Sequence, residues 1–326
     1  MKFGVFCPFH THLRGYKECF DRQAAFVRRA EDLGFDEAWV AEHHFNPNGA
    51  SSSILVLLGH LATITSRIRI GSAALLLSYR NPIQVAEDIA TVDIISNGRL
   101  NLGVARGGSA TLPNKHFQVP REQSRDILIE GLKLVEQLLY EDHVTFAGDH
   151  FAVDDVSLVP KPLQRRIPTF LATTAPDAIA YAASRGLGTM AAPPYSMELV
   201  RQTIDRYRAA APGADPGMTL SRFYFAAPSR EEALNETLPQ IRSFVDRKRA
   251  LALNDVPVSP SELNIESVIE RSLIGSYEDI IEKLNYLGKN MQIRAVLLRP
   301  MTTDHDKSIQ ALDRFVRYIQ PNLQFA

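Results

Sequence analysis

Strand-like and helix-like segments alternate along almost the whole chain, and this alternation most narrows what it can fold into. Lys2–Cys7 reads as a strand. A helix is expected over Phe20–Gly34, with Phe20, Ala24, Val27 and Ala30 on one face and a glycine at its end. Further strands are expected at Asp36–Ala41, Ile68–Leu77, Leu100–Ala105, Pro168–Ala172, Thr189–Ala192, Thr219–Ala226 and Ala295–Arg299. The helices between them fall at Ile54–Ser66, Pro82–Ile95, Arg121–Tyr140, Pro176–Gly186, Met197–Ala211, Arg230–Leu251, Tyr277–Gly288 and Ser308–Tyr318. About eight strands alternating with helices in 326 residues suit an α/β chain folded as a TIM (β/α)8 barrel, typically ~250 residues plus insertions. A doubly wound open sheet shows the same alternation, and periodicity does not separate the two. We expect a single domain over residues 1–326.

Two stretches depart from the pattern. Between about 141 and 166, Val, Phe and Leu residues are scattered among Gly148, Asp154, Asp155, Pro160 and Pro162, which predicts a hairpin and an extended connector. Between about 252 and 276, Val256-Pro257 and Ser259-Pro260 lie in a stretch with little regular patterning, which predicts a lid-like insertion.

The segment Asn81–Gly108 shows one unit in full. Pro82 suits a first helical turn; Val85, Ile89, Val92 and Ser96 recur on one face; Asn97-Gly98 can take positive φ beyond the end. Leu100, Leu102 and Val104 then alternate with Asn101, Gly103 and Ala105 as in a strand. Arg106 follows at the carboxyl end, where α/β proteins bind ligands, and its charged fork suits an anion.

Other strand ends carry chemistry too. Thr173-Thr174-Ala175-Pro176 precedes a helix, so hydroxyls and first-turn N–H groups could hold a phosphate. An ordinary N-cap by Thr174 with Pro176 near N1 explains the same residues. Glu42-His43-His44 places two imidazoles and a carboxylate beyond a strand, either to manage a proton or as a hydrogen-bonded structural group. Ala73-Ala74 could let a flat ring lie against the backbone, or be small-residue packing.

His10-x-His12 resembles the start of the metal-binding amidohydrolase barrels, but the later positions such a site needs hold Thr173-Thr174, Ala191-Ala192-Pro193 and Arg299-Pro300-Met301. No metal site is expected. Gly103 to Gly108 is not a dinucleotide fingerprint, because no helix opens on it. A net charge of −1 gives no reason to expect nucleic acid, and no run is long enough for a membrane helix. Cys7 and Cys19 are expected as reduced thiols, with a cytoplasmic location.

Together these groups resemble the bacterial luciferase family of flavin-dependent monooxygenases. The resemblance rests on MKFG, LGFDEAWVAEHHF (33–45), Gly71 to Ala74, NGRLNLGVARG (97–107), LVPKPLQ (158–164) and GSYEDIIEKLNYL (275–287). It implies a TIM barrel holding reduced FMN at its mouth. Arg106 and Thr173-Thr174-Ala175 match the phosphate-binding positions, Ala73-Ala74 a non-proline cis peptide against the flavin ring, and His43, with His44 beside it, the catalytic histidine. Reduced flavin and O2 would form a C4a-peroxide that oxygenates a small hydrophobic organic substrate, with Phe6, Phe9, Tyr79, Met190 and Tyr195 as candidate wall residues. A separate flavin reductase would supply the FMNH2, and Ile54–Ser66 with Pro82–Ile95 matches the family's dimer-forming helices, which implies a homodimer. Ala105 stands where the luciferase alpha subunit has a reactive cysteine, and Ser109 where it has an aromatic residue, so a non-luminescent member is expected. F420-dependent hydride transfer on the same barrel, and a non-catalytic flavin-binding subunit, are the alternatives.

Overall fold

The computed structural model describes residues 1–11, 15–107, 111–253 and 258–325. His12, Gly108, Ser109 and part of the expected lid, 254–257, lie outside them. The strands are β1 (Lys2–Cys7), β2 (Glu37–Val40), β3 (Arg69–Ser72), β4 (Leu75–Leu76), β5 (Leu100–Ala105), β6 (Val144–Ala147), β7 (Ala152–Val156), β8 (Thr169–Leu171), β9 (Gly188–Ala191), β10 (Met218–Ala227), β11 (Leu273–Ser276) and β12 (Ile293–Pro300). Hydrogen-bonded neighbours run β11-β10-β12-β1-β2-β3-β5-β8-β9, and β9 also pairs with β10. The parallel sheet thus closes into an eight-stranded barrel with helices between its strands. That closure excludes the open doubly wound sheet. Among the described residues, no helix is long and apolar enough to cross a membrane.

The chain divides into two compact units, residues 8–19 with 39–172, and residues 1–7 with 20–38 and 173–326. In the first unit, α2 (Ile54–Thr63) and α3 (Pro82–Ile95) lie side by side. Asn81 caps α3 by accepting the Ile83 N–H, and Pro82 takes N1, as the sequence suggests. Asn97 and Gly98 end that helix at φ of 55° and 74°. Arg99 then donates to the carbonyls of Ala62, Thr65 and Ile68, which ties the turn to the end of α2. Gly71 leaves room for Trp39: a Cβ there would sit 2.6 Å from the indole ring.

The expected strand Ile68–Leu77 is broken. β3 ends at Ser72, the Ala73–Ala74 peptide is cis as the resemblance implies, and β4 resumes beside β5. Ser72 clamps the break, its hydroxyl donating to the Gly103 carbonyl and accepting the Gly103 N–H. A short helix, α4 (Thr111–His116), precedes α5 (Ser124–Tyr140). The stretch at 141–166 is the expected excursion: β6 and β7 form an antiparallel hairpin, followed by an extended segment with a cis Val159–Pro160 bond.

In the second unit, α1 (Tyr16–Asp32) reaches Phe35 and Asp36, and Asp36 accepts the Phe3 N–H at 2.8 Å. Glu37 is fully buried, and Arg294 grips it with two bonds of 2.6 and 2.8 Å. The helices here are α6 (Pro176–Ser184), α7 (Met197–Ala210), α8 (Arg230–Leu253), α9 (Ile265–Arg271), α10 (Tyr277–Asn290) and α11 (His305–Arg314). The stretch expected as an irregular lid carries regular structure over its described residues 258–276: a 3-10 turn at Pro260–Leu263, then α9 and β11. Tertiary pairing accounts for the difference. Leu273–Ser276 alone is too short to read as a strand, but Tyr224–Ala227 of β10 supplies its partner.

Candidate active site

The carboxyl end of β2 leads into Glu42-His43-His44. The Glu42 side chain is fully buried, and three donors compensate it. Its Oε1 accepts from His44 Nε2 at 2.6 Å and from Arg80 Nη2 at 2.7 Å, and its Oε2 accepts the Leu76 N–H at 3.0 Å. A buried carboxylate is tolerated only with such partners. Because a carboxylate only accepts, the shared proton belongs to His44 Nε2, which sets the tautomer of the neutral ring. His43 faces different surroundings: it is exposed, its backbone N–H reaches the Ser51 carbonyl, and its ring edge lies over Gly49. The structure therefore separates the two imidazoles, one held from below and one presented outward.

An aromatic wall surrounds His44. Phe117 meets the imidazole edge-on at 4.9 Å between centroids and stacks on Tyr79 at 5.2 Å. Phe45 leans on Phe117 at 5.7 Å. The Tyr79 hydroxyl donates to Asn114 of α4 at 2.6 Å. Burial pushes that hydroxyl above its ordinary pKa, Arg106 pulls it back, and Glu42 pushes it up again. Gly107, at φ of 80°, makes room for this ring, since a Cβ there would meet the Tyr79 oxygen. Ser78 donates its hydroxyl to the Arg106 carbonyl, so the loop bearing the arginine is fastened to the turn bearing Tyr79.

Arg106 leaves the carboxyl end of β5 and is half-buried, as are Ala73 and Ala74. β5 pairs in parallel with β8, Val104 opposite Leu171, and the Ala172 N–H reaches the Val104 carbonyl at 2.9 Å. Thr173, Thr174 and Ala175 follow directly, also half-buried. The N-cap of α6 is Ala175, not Thr174, and no side chain caps the helix. Pro176 occupies N1 and fixes where helical angles begin, so Thr174 falls one residue too early to cap. Thr173 Oγ1 instead accepts the Ala175 N–H at 3.2 Å. The ordinary capping explanation of this turn is thereby removed, and the first-turn N–H groups stand outside intrahelical bonding.

Other candidates serve structure. His10 Nδ1 donates to the Asn48 carbonyl at 2.7 Å, and the Thr11 hydroxyl donates to Pro47 at 2.8 Å, joining two loops. Cys7 is fully buried, and burial pushes its thiol far up. Phe6, Phe9 and Met190 are core side chains. Sequence reasoning missed Arg80 and the α4 wall. Arg80 lay between a strand and a helix with nothing to mark it as Glu42's partner. Pro113, inside α4, made that segment resemble a loop.

Residues 1–294 match the model of the luciferase-like monooxygenase family. An alkanal monooxygenase alpha chain of the Kryptophanaron alfredi symbiont is 29% identical over 57% of this chain and 53% of its own length. An F420-dependent glucose-6-phosphate dehydrogenase of Kineococcus radiotolerans is 30% identical over 56% of this chain and 55% of its own. The matched stretches cover about half the length of these two relatives. In fold it is similar to the monooxygenase RslO1 of Streptomyces bottropensis, with a TM-score of 0.87, 24% identity, and coverage of 98% of this chain and 99% of that one. The closed parallel barrel, together with a family match over most of its length, places the chain: it belongs to the luciferase-like monooxygenase family.

Proposed function

We propose that this oxidoreductase is the oxygenating component of a two-component flavin-dependent monooxygenase. It takes FMNH2 from a separate flavin reductase and, with O2, oxygenates a small hydrophobic organic substrate. The observation that carries this reading is the start of α6, where the Thr173–Thr174 hydroxyls lead into a helix capped only by the methyl of Ala175. Uncapped first-turn N–H groups and the positive end of the helix dipole suit a phosphate. Arg106, whose fork also suits phosphate, is proposed as a further ligand of the cofactor's phosphate beside Thr173, Thr174 and Ala175, and Ala73-Ala74 as the peptide against which the flavin ring lies.

Reduced flavin supplies the two electrons that activate O2; the protein must exclude water and stray protons meanwhile. The Tyr79–Phe117 wall contributes that exclusion around His44. Glu42 holds His44 in one orientation and tautomer, and exposed His43 carries the exchangeable proton at the mouth.

The glucose-6-phosphate dehydrogenase relative favours a second reading, F420-dependent hydride transfer. One experiment separates the two. Protein mixed anaerobically with FMNH2 is exposed to O2, and flavin reoxidation is followed by absorbance. Reoxidation kinetics altered by saturating protein, with FMNH2 bound more tightly than reduced riboflavin and weakened by Arg106→Ala, support the monooxygenase. Unaltered kinetics, with tight F420 binding, would support hydride transfer instead.

The homodimer is proposed on α2 and α3. The α2 sequence ILVLLGHLAT is apolar at nearly every position, yet Val56 is 73% exposed, and Ile94 and Ile95 at the end of α3 are also exposed. A helix apolar all round needs cover on its outer face.

A further inference from the structure

Among the described residues, buried Arg222 and Arg271 and half-buried Lys283 make their hydrogen bonds to neutral acceptors. Arg222 of β10 is 1% exposed, and its Nη1 donates to the carbonyls of Ser221 and Ala192, while Nη2 lies 2.9 Å from Met197 Sδ. Arg271, closing α9, is 8% exposed; its Nη groups donate to the hydroxyl and carbonyl of Ser261, and its Nε has no partner. Lys283 of α10 donates to the Glu270 and Ser272 carbonyls at 2.9 and 2.7 Å. Buried Glu262 acts on Arg271 electrostatically, but its ion pair is with Lys248 at 2.8 Å. Burial lowers all three cations, Arg222 to about 9, while Glu262 and Glu270 act against it at Arg271, and Asp279 and Glu270 at Lys283. Three cations hydrogen-bonded to neutral acceptors, one with an unpartnered Nε, leave capacity for an anion that carries several acceptor oxygens.

These residues line one cavity of about 410 Å3. Glu270, Asp279 and Glu282 also line it. Glu270 and Glu282 are exposed, and Asp279 is engaged in capping α10 and in a 3.6 Å contact with Arg230. Leu273, Leu287 and Tyr286 add apolar surface. The result is a cationic interior, an apolar side and a mixed rim. We propose that the cavity binds a small organic phosphate, its dianionic head on Arg222, Arg271 and Lys283 and its body against Leu273, Leu287 and Tyr286. A phosphate dianion answers several cations at once, and guanidinium forks match its oxygens. This site is built from different residues than the cofactor site proposed above and does not depend on that reading.

Phenyl phosphate serves as the probe, with inorganic phosphate and benzoate for comparison, measured by isothermal titration calorimetry on the full chain. Phenyl phosphate should bind saturably and more tightly than either comparison anion. Lys283→Gln and Arg271→Gln should each weaken it about tenfold or more, the loss of one charge-assisted hydrogen bond. Arg106→Ala should leave it unchanged. Glu282→Lys, an exposed rim change that leaves the packing alone, should strengthen it and guards against misfolding of the interior variants. Absence of saturable binding would overturn the proposal. So would equal affinity for inorganic phosphate, or loss of binding in Arg106→Ala with Lys283→Gln and Glu282→Lys unaffected.

Discussion

Glu42 accepts a 2.6 Å hydrogen bond from His44 while its own side chain is shut off from solvent. The same oxygen takes Arg80 at 2.7 Å, 38 residues along the chain, so the imidazole, the guanidinium and the start of β4 meet on one carboxylate. A group that holds three donors fixes the geometry of all of them. His44 is therefore set by its neighbours rather than by its own rotamer preference, and the Phe117 and Tyr79 rings meet its imidazole edge-on.

Removing that carboxylate should be expensive. Glu42→Gln leaves Arg80 without its counter-charge, and breaking a buried pair in this way costs about 3–5 kcal/mol. Urea unfolding should report the loss. A loss below about 1 kcal/mol, the value of an ordinary surface pair, would show that water replaces the carboxylate.

Gly107→Ala places a methyl where the Tyr79 ring lies and at a φ that side chains resist. We expect a cost of about 1–3 kcal/mol. Tyrosine fluorescence and the Tyr79–Asn114 bond should be disturbed together, with the fold otherwise retained by circular dichroism. Wild-type stability in this variant would mean that Tyr79 moves aside freely.

Acid should loosen the hairpin β6–β7 first. Glu130 accepts the N–H groups of Asp149, His150 and Phe151 at the hairpin turn, at 3.0, 2.8 and 2.7 Å. Burial raises its pKa, but these three bonds, with His150, outweigh it and hold the carboxyl below its ordinary value. Its contribution is thus present above the unfolded value of about 4.3 and is lost as pH falls through the lower folded value. Glu130→Gln should flatten this acid limb in urea melts. An unchanged limb would assign it to other carboxylates.

Both thiols should be silent in the folded protein. Cys7 is fully buried with its thiol pushed up by burial, and Cys19, 5% exposed, donates to the His10 carbonyl. Ellman's reagent at pH 8 should titrate neither until denaturant is added, when both react. Rapid reaction of either thiol in buffer would show an opening that the packing does not suggest.

Val56→Asp tests the proposed dimer. Sedimentation velocity should show a dimer in the wild type and a monomer in the variant, because a charge in an apolar interface is left unpaired. A dimeric variant would move the interface off α2.

Local patterning reached far into this fold. The helix Pro82–Ile95, its Asn97–Gly98 stop and the strand Leu100–Ala105 occur where proline, glycine and alternation placed them, because these signals act within a few residues. The break inside Ile68–Leu77 was not visible in its alternation, since Ala73 and Ala74 look equally at home in an unbroken strand. The helix cap shifted from Thr174 to Ala175 for an equally local reason, the fixed φ of Pro176, which the threonines obscured.

By itself, then, the sequence determined the order of the eight barrel strands, the strand ends that bear Glu42, His43, His44, Arg106 and Thr173, and the family. Only the tertiary structure decided that the sheet closes, that Arg80 rather than His43 shares Glu42 with His44, and that Arg222, Arg271 and Lys283 line one cavity. The reason is separation along the chain. Periodicity and capping are settled among near neighbours, whereas the choice of a partner dozens of residues away depends on which surfaces pack together.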